Sequence, residues 1–336
     1  MGSEAAADVV IPTWNRRESL RRTLESLREQ TAPVAVTVVD NASSDGTGEM
    51  IAREFEEVRR IALDSNLGFG AAVNRGIAAC AAEWVVLLNN DTVAEPSFAA
   101  ELIAAGERAG SVMVAGCLRR PDGTIESLGV EIDSSLVAYD VWYGEPYERT
   151  LREPAPEPLA PSGGAAGFRR ARLLELGGFD EEMFAYLEDV ELGIRVRLSG
   201  GRCAAAPRAV AWHEHSGTLG SGAPAKNRLM GRGRGYLLWK HGAALPRLAR
   251  ARGALIDAAV YAGQAAIDHN LDGLRGRIEE RRRLAARARP PADPRLASLP
   301  LVERRVSEAL RTRLARRGRR GLSGTRRPSP PPDDGS

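Results

Sequence analysis

Cysteine is scarce in this 336-residue chain. Cys80, Cys117 and Cys203 are far apart, include no CxxC pair and leave one over, which argues against a disulfide framework and for a reducing compartment. Aromatic residues make up only 5% and histidines number four. No zinc-finger spacing occurs, so a nucleic-acid module of that kind is not expected. No apolar run approaches the roughly 20 residues that span a bilayer. The opening MGSEAAADVVIP also lacks the basic start and apolar stretch of a secretory leader. Neither a membrane span nor secretion is expected, and the cytoplasm is the expected location.

What is present is 43% hydrophobic residues, enough for a core in one large domain or two modest ones without staples. The net charge of +3 hides a gradient. Residues 271–320 hold 16 arginines against 6 acidic residues, residues 321–336 are neutral, and residues 1–270 carry −7. An acidic body with few aromatics makes nucleic acid a poor partner. The final Pro- and Asp-containing stretch is too poor in apolar residues to be expected to fold.

The first hundred residues alternate strand and helix patterns. Val9–Pro12, Val34–Val39, Ile61–Leu63 and Trp84–Leu88 are short apolar runs of strand length, while Glu18–Gln30 places Leu20, Leu24 and Leu27 at helical spacing. A second helix carries Met50, Ile51, Phe55 and Val58. This is an α/β pattern, in which ligands sit at the carboxyl ends of the strands. Those ends are polar here: Thr13-Trp14-Asn15, Asp40-Asn41 and Asn89-Asn90-Asp91. Each could be a mere cap or turn, but three together suggest a ligand crevice. Gly68-Phe69-Gly70 follows the third strand candidate and is not the GxGxxG of a dinucleotide fold. A Walker A loop is absent too, although small residues before a helix can still approach a phosphate.

Farther on, Val112–Gly116 and Gly129–Ile132 read as strands, and proline-rich residues 145–162 as a lid or a linker. A short helix centred on Leu173-Leu174 ends at Gly177-Gly178, and the stretch from Phe179 is expected to open a helix that runs to Leu198. Glu188-Asp189 in that segment can be ordinary helix-dipole partners. Phe184 and Tyr186 beside them suggest burial, which would raise a carboxylate's pKa toward that of a general base. His213 and His215 could complete an oxygen-and-nitrogen metal site with Asp91. Beyond residue 224 the chain reads as basic helices, either packed normally or lying on an anionic membrane surface.

Taken in order, Ile11–Arg16, Val38–Thr47, Asn66–Gly70 with Asn74, Leu87–Thr92, Gly177–Glu181, Glu188–Leu192 and His213 resemble the family-2 inverting glycosyltransferases of the GT-A fold, in particular their rhamnosyltransferase-like branch. The likeness spans roughly residues 8–240. It implies a GT-A nucleotide-sugar-binding domain with a mixed central sheet over 7–222, a helical arginine-rich region over 223–320 and a disordered tail over 321–336. It implies a donor pocket at Pro12, Thr13, Asn15, Asp40, Asp45, Gly68, Asn74, Asn89 and Asn90. Asp91 and His213, with His215 as local rival, would hold Mg²⁺ or Mn²⁺. Asp189 would be the catalytic base, Glu188 would tune it, and Gly163, Gly164, Phe179 and Asp180 would line the acceptor side.

The implied reaction is single-sugar transfer from a nucleotide-sugar, dTDP-rhamnose or a UDP- or GDP-sugar, to a glycan or polyprenyl-diphosphate-linked acceptor of the cell envelope. The enzyme would then be peripheral at the inner face of the cell membrane. Asn89 stands where an ideal DxD has its first aspartate, and Arg232-Gly233-Arg234 where relatives often have Arg-Asn. The QxxRW motif of processive synthases is absent. A noncatalytic carbohydrate-binding protein and a sugar-phosphate nucleotidyltransferase are the alternatives; the latter usually needs a glycine-rich basic loop where this chain has Pro12–Arg16.

Overall fold

The computed structural model describes residues 5–213 and 222–304. Strand β1 (Ala7–Thr13) is followed by α1 (Arg17–Arg28), β2 (Val34–Asp40), α2 (Thr47–Glu54), β3 (Arg59–Ala62), α3 (Phe69–Ala79) and β4 (Trp84–Leu88). Next come β5 (Thr92–Ala94), α4 (Phe98–Ala109), β6 (Met113–Arg119), β7 (Ile125–Ser127), β8 (Val130–Ile132), β9 (Ala138–Asp140) and the single turn α5 (Arg149–Arg152). Then follow β10 (Ala165–Arg169), α6 (Arg170–Glu175), α7 (Glu188–Leu198), β11 (Cys203–His213), α8 (Pro224–His241), α9 (Arg247–Ile267) and α10 (Asp272–Leu284).

The main sheet has the order β3-β2-β1-β4-β10-β6-β11-β5, with β7 paired to β6. The β3-β2-β1-β4 half is parallel, whereas β10 runs antiparallel to both β4 and β6. The mixed sheet that the resemblance implies is therefore present. Alternation within each strand builds two cores. Val9, Ile11, Val86 and Leu88 face α1 and α4, where Leu20, Leu24, Phe98 and Leu102 wait. Val10, Val85 and Leu87 face Ile77 of α3 and Leu192 of α7 on the other side. Cys80, Cys117 and Cys203 are free and buried within this framework.

The chain order places β1 between β2 and β4, so connections leave it in opposite directions and open a crevice at its carboxyl end. Pro12 marks that opening. It pairs in register with Val39, while pairing to β4 stops at Val10, so the N–H that proline lacks is not needed by the sheet.

Several sequence expectations change. The helix expected from Phe179 begins only at Glu188, because Tyr186 and Leu187 are both left-handed, with φ of 72° and 71°, and break any helix before them. The second half of the proline-rich stretch is fixed in place: Leu159 and Ala160 are buried, and Glu157 pairs with Arg197 and with Arg202. Of the stretch beyond residue 224 that reads as basic helices, Val302 is extended instead, its N–H donating to the Ile132 carbonyl, and from residue 305 the stretch lies outside the described residues, as does the tail.

The helical region is knitted into the sheet-bearing half. Arg234 of α8 donates to the carbonyls of Ser135 and Leu136, and Arg252 of α9 pairs with fully buried Asp133. Glycines let α8 come close to its neighbours: a Cβ on Gly231 would lie 2.0 Å from the Gly273 carbonyl oxygen of α10, and one on Gly233 2.4 Å from that of Tyr186. Among the described residues no helix is long and apolar enough to cross a membrane.

Candidate active site

The carboxyl ends of β1 and β4 are tied across the crevice by Asn90, whose amide donates to Thr13 Oγ1 at 2.7 Å. Beside them Asn15 adopts φ 59°. Its backbone N–H donates to Ser43 Oγ and its side-chain oxygen accepts from Ser44 N–H, which joins the loop after β1 to the loop after β2. Asp40 is buried at the end of β2, accepting from Ser43 N–H and pairing with Arg60 at 2.6 Å. Asp45 accepts from Arg17 N–H at the start of α1 and from Thr47 at the start of α2, so it fixes two helix starts. Asn41, absent from the expected set, holds Leu67 N–H and the Gly68 carbonyl. Gly68, with φ 90°, lies against the Phe184 carbonyl, and a Cβ there would come within 2.3 Å.

Asn89 and Gly164 meet where β4 and β10 begin to diverge, with Asn89 N–H donating to the Gly164 carbonyl. A Cβ on Gly164 would lie 3.1 Å from the Asn89 amide nitrogen, and one on Gly163 would reach Asp189 Oδ2 at 4.0 Å. Asp189 Oδ2 accepts from Gly163 N–H at 3.2 Å and Oδ1 from Val190 N–H at 2.8 Å. The glycine edge and the carboxylate therefore share one wall.

Burial pushes the Asp189 carboxyl up to about 6; the Gly163 and Val190 N–H groups oppose this and nearby Asp140 adds to it. Glu188 is raised further, by burial first and the neighbouring Asp189 charge second, and its Oε2 has no hydrogen-bond partner. The two N–H groups on Asp189 thus favour the negative charge there, and burial with no partner for Oε2 favours the protonated form of Glu188. Two positions along α7 the logic reverses. Burial alone would raise Glu191, but His241, Arg195 and Lys240 hold it at about 2.

Asp91 and His213 converge from the ends of β4 and β11, with Oδ1 and Nε2 3.2 Å apart. Sequence reasoning missed the third member, Glu126 of β7, whose Oε2 accepts from His213 Nδ1 at 2.9 Å. Only the pairing of β7 with β6 brings it there, and an Ile-Glu-Ser strand carries no motif that announces it. Burial alone would lower His213, but Asp91 and Glu126 on its two nitrogens raise it to about 10; a cation at Nε2 would take the place of that proton, with Glu126 keeping Nδ1–H oriented. Among the described residues no group of three or more side chains is arranged to hold an ion. Two protein ligands fit a cation that Mg²⁺-type sites hold with one or two carboxylates plus substrate phosphates. His215 lies outside the described residues.

Three expected site residues act from behind. Phe179 is 1% exposed, edge-on to Phe69 and Phe168, so it supports the Gly163–Asp189 wall from behind without surfacing on it. Asp180 accepts from Tyr236 Oη, Lys240 Nζ and Glu182 N–H, clamping the segment before α7 to α8. Asn74 spends its amide on the Phe179 backbone and Glu181 and so holds the same segment from α3.

This support makes Gly233 testable. In Gly233→Ala the new methyl meets a backbone oxygen that cannot rotate away, an overpacking cost of about 1–3 kcal/mol, against a helix-propensity gain of up to roughly 1 kcal/mol. The variant is expected to melt lower and to turn over more slowly, since Tyr186 leads directly into Glu188 and Asp189. A melting temperature raised by the substitution would show that the contact is relaxed.

The sequence matches the family described as Glycosyl transferase family 2 over residues 8–177. It is 31% identical over 236 residues, 63% of this chain and 77% of the relative, to the N-acetylglucosaminyl-diphospho-decaprenol L-rhamnosyltransferase of Mycobacterium tuberculosis. It is 30% identical over 223 residues, 57% of this chain and 51% of the relative, to the validoxylamine A glucosyltransferase of Streptomyces hygroscopicus subsp. jinggangensis. In fold it is similar to the mannosyltransferase PcManGT from Pyrobaculum calidifontis in complex with GDP-Man and Mn²⁺, with a TM-score of 0.53 and 19% identity over 88% of this chain and 79% of that one. It is also similar to GalNAc-T7 with UDP, GalNAc and Mn²⁺, with a TM-score of 0.58 and 15% identity over 86% of this chain and 59% of that one. The structural likenesses bear on fold alone and agree with a GT-A-like architecture. With a match over just more than half its length, the chain belongs to glycosyl transferase family 2.

Proposed function

We propose that this family-2 glycosyltransferase is metal-dependent and inverting, and moves one sugar from a nucleotide-sugar donor to a glycan or lipid-diphosphate-linked acceptor. The observation that carries this reading is the separation of two carboxylates: Asp189, buried beside a glycine edge with a raised pKa, and Asp91, paired with His213 at the mouth of the β1–β4 crevice. The first suits proton removal and the second suits a cation.

In this reading the donor lies across Thr13, Asn15, Asp40 and Gly68, with its diphosphate toward Asn89, Asn90 and Asp91. A divalent cation held by Asp91 and His213 would supply charge stabilisation to the leaving diphosphate. Asp189 takes the proton from the acceptor hydroxyl as that oxygen attacks the anomeric carbon from the face opposite the leaving group. The bond from that carbon to phosphate oxygen breaks and the configuration inverts. Neutral Glu188 keeps a second negative charge away from the base. The Gly163-Gly164 backbone, without side chains, leaves room for the acceptor to approach.

The name of the Mycobacterium tuberculosis relative supports L-rhamnose as the sugar and an N-acetylglucosaminyl-diphospho-polyprenol as the acceptor. Calorimetric titration of dTDP-rhamnose and a panel of UDP- and GDP-sugars, with Mn²⁺ or with EDTA, tests the donor side. One donor is expected to bind only with metal; equal binding in EDTA would overturn the metal's part. Glu126→Gln should weaken Mn²⁺ binding about 10–100-fold, as losses of ligand-orienting groups commonly do. Wild-type Mn²⁺ affinity in that variant would show that Glu126 does not support the site.

A further inference from the structure

Helix α9 presents an unusual outward face. Its inward side carries Ala249, Gly253, Ile256 and Gln264, and Ile256 packs on Val137 and Tyr139 of the β8–β9 hairpin. On the opposite side Leu248, Ala251, Leu255, Ala258, Ala262 and Ala266 recur at helical spacing, and all are exposed. Leu248 is 85% and Leu255 59% exposed. Between Arg252 and Asp268 the only charged side chain is Asp257, and it turns toward Arg234. An exposed helix with no charge facing water over four turns is a mark of an interaction surface. The stripe has a basic end, where Arg247 and Arg250 are exposed.

We propose that this outward face of α9 is a docking surface for an anionic lipid bilayer. The proposal rests on the reading of a lipid-linked acceptor and adds which surface meets the lipid. Three observations favour lipid over a second copy of the chain. A helix of this length offers a strip of about 30 by 10 Å, or roughly 300 Å², well short of the roughly 800 Å² per partner of a stable protein interface. Alanine and leucine without polar side chains provide shallow apolar burial but little for a protein partner to recognise, while Arg247 and Arg250 match anionic headgroups. The hairpin beneath α9 also ends at Asp140, whose charge acts on Asp189, so the lipid-facing helix and the proposed base are joined through one hairpin.

Flotation of the full chain tests this, with vesicles of phosphatidylcholine alone and of phosphatidylcholine mixed equally with phosphatidylglycerol. The wild type is expected to float with the mixed vesicles. Leu248→Glu combined with Leu255→Glu should lose about tenfold or more of that binding, given the apolar area removed from lipid, with melting and metal-dependent donor binding unchanged. Arg247→Glu with Arg250→Glu should lose the preference for anionic vesicles. A double-leucine variant that floats like the wild type overturns the proposal, and so does a wild type that does not float. It is equally overturned by light scattering that shows a wild-type dimer turned monomer by the leucine changes, because the face is then a self-contact. Vesicle binding without any donor binding would leave the docking surface standing and remove the transferase reading beneath it.

Discussion

Asp189→Asn is expected to lower turnover by about 10²–10⁴-fold, the usual contribution of a positioned general base, while donor affinity stays close to wild type. Asparagine keeps the shape of the side chain and an oxygen for Val190 N–H, and it loses at most the longer bond from Gly163 N–H. A bond to a charged group is worth about 1.5–3 kcal/mol, offset here by removal of a buried charge, so the fold should survive and the kinetic loss can be read as chemistry. The pH profile carries a second signature. A base works when deprotonated, and burial has moved Asp189 up to about 6, so activity should fall on the acid side below that value instead of in the ordinary carboxylate range. The asparagine variant should lose this acid limb along with most of its rate. Unchanged turnover in a folded variant would take the base role away from Asp189.

Asp91→Ala is expected to remove metal-dependent donor binding, by at least the roughly 100-fold that marks the upper range for merely supporting groups. Among the described residues, Asp91 and His213 are the two side chains that would hold the ion in the proposed site, and Asn89, where a second carboxylate would stand, contributes no charge. His213 would remain with Glu126 on its other nitrogen, a single nitrogen ligand insufficient for a hard cation. Titration of the donor with Mn²⁺ and with EDTA reads this directly. A variant that binds donor as the wild type does, with and without metal, would exclude Asp91 from the site.

The parts of this architecture that local pattern encodes were legible in the sequence. The strands β1, β2 and β4 are continuous apolar runs because both faces are buried, and the polar residues that end them are those gathered at the crevice. Strands β10 and β11 were not read as strands. Ala165–Arg169 and Cys203–His213 are rich in alanine, and β11 carries a proline and a register shift between Ala206 and Val210, so neither has the β-branched pattern that signals a strand. Their places are set by neighbours: β10 by its antiparallel fit between β4 and β6, and β11 by β6 and β5.

The site shows the same division. Glu188 and Asp189 could be picked out beside Phe184 and Tyr186, but the order of their proton affinities depends on the Gly163 and Val190 N–H groups, which only the fold supplies. Asp45, Asn74 and Asp180 stand at the motif positions, yet their side chains hold helix starts and the loop before α7. A motif keeps a residue's identity without telling whether it touches a ligand or the chain that does. Glu126, 87 residues from His213 in sequence, had no local signal at all.

The stereochemistry of donor cleavage tests the central claim most directly. Slow hydrolysis of the bound donor, followed by proton NMR before the released sugar equilibrates in solution, reports which face of the anomeric carbon was attacked. A single displacement assisted by Asp189 predicts that the sugar first appears with the configuration opposite to the donor's, in Mn²⁺ and not in EDTA. A first product with the donor's own configuration would contradict it, because two displacements would then be required where only one base stands.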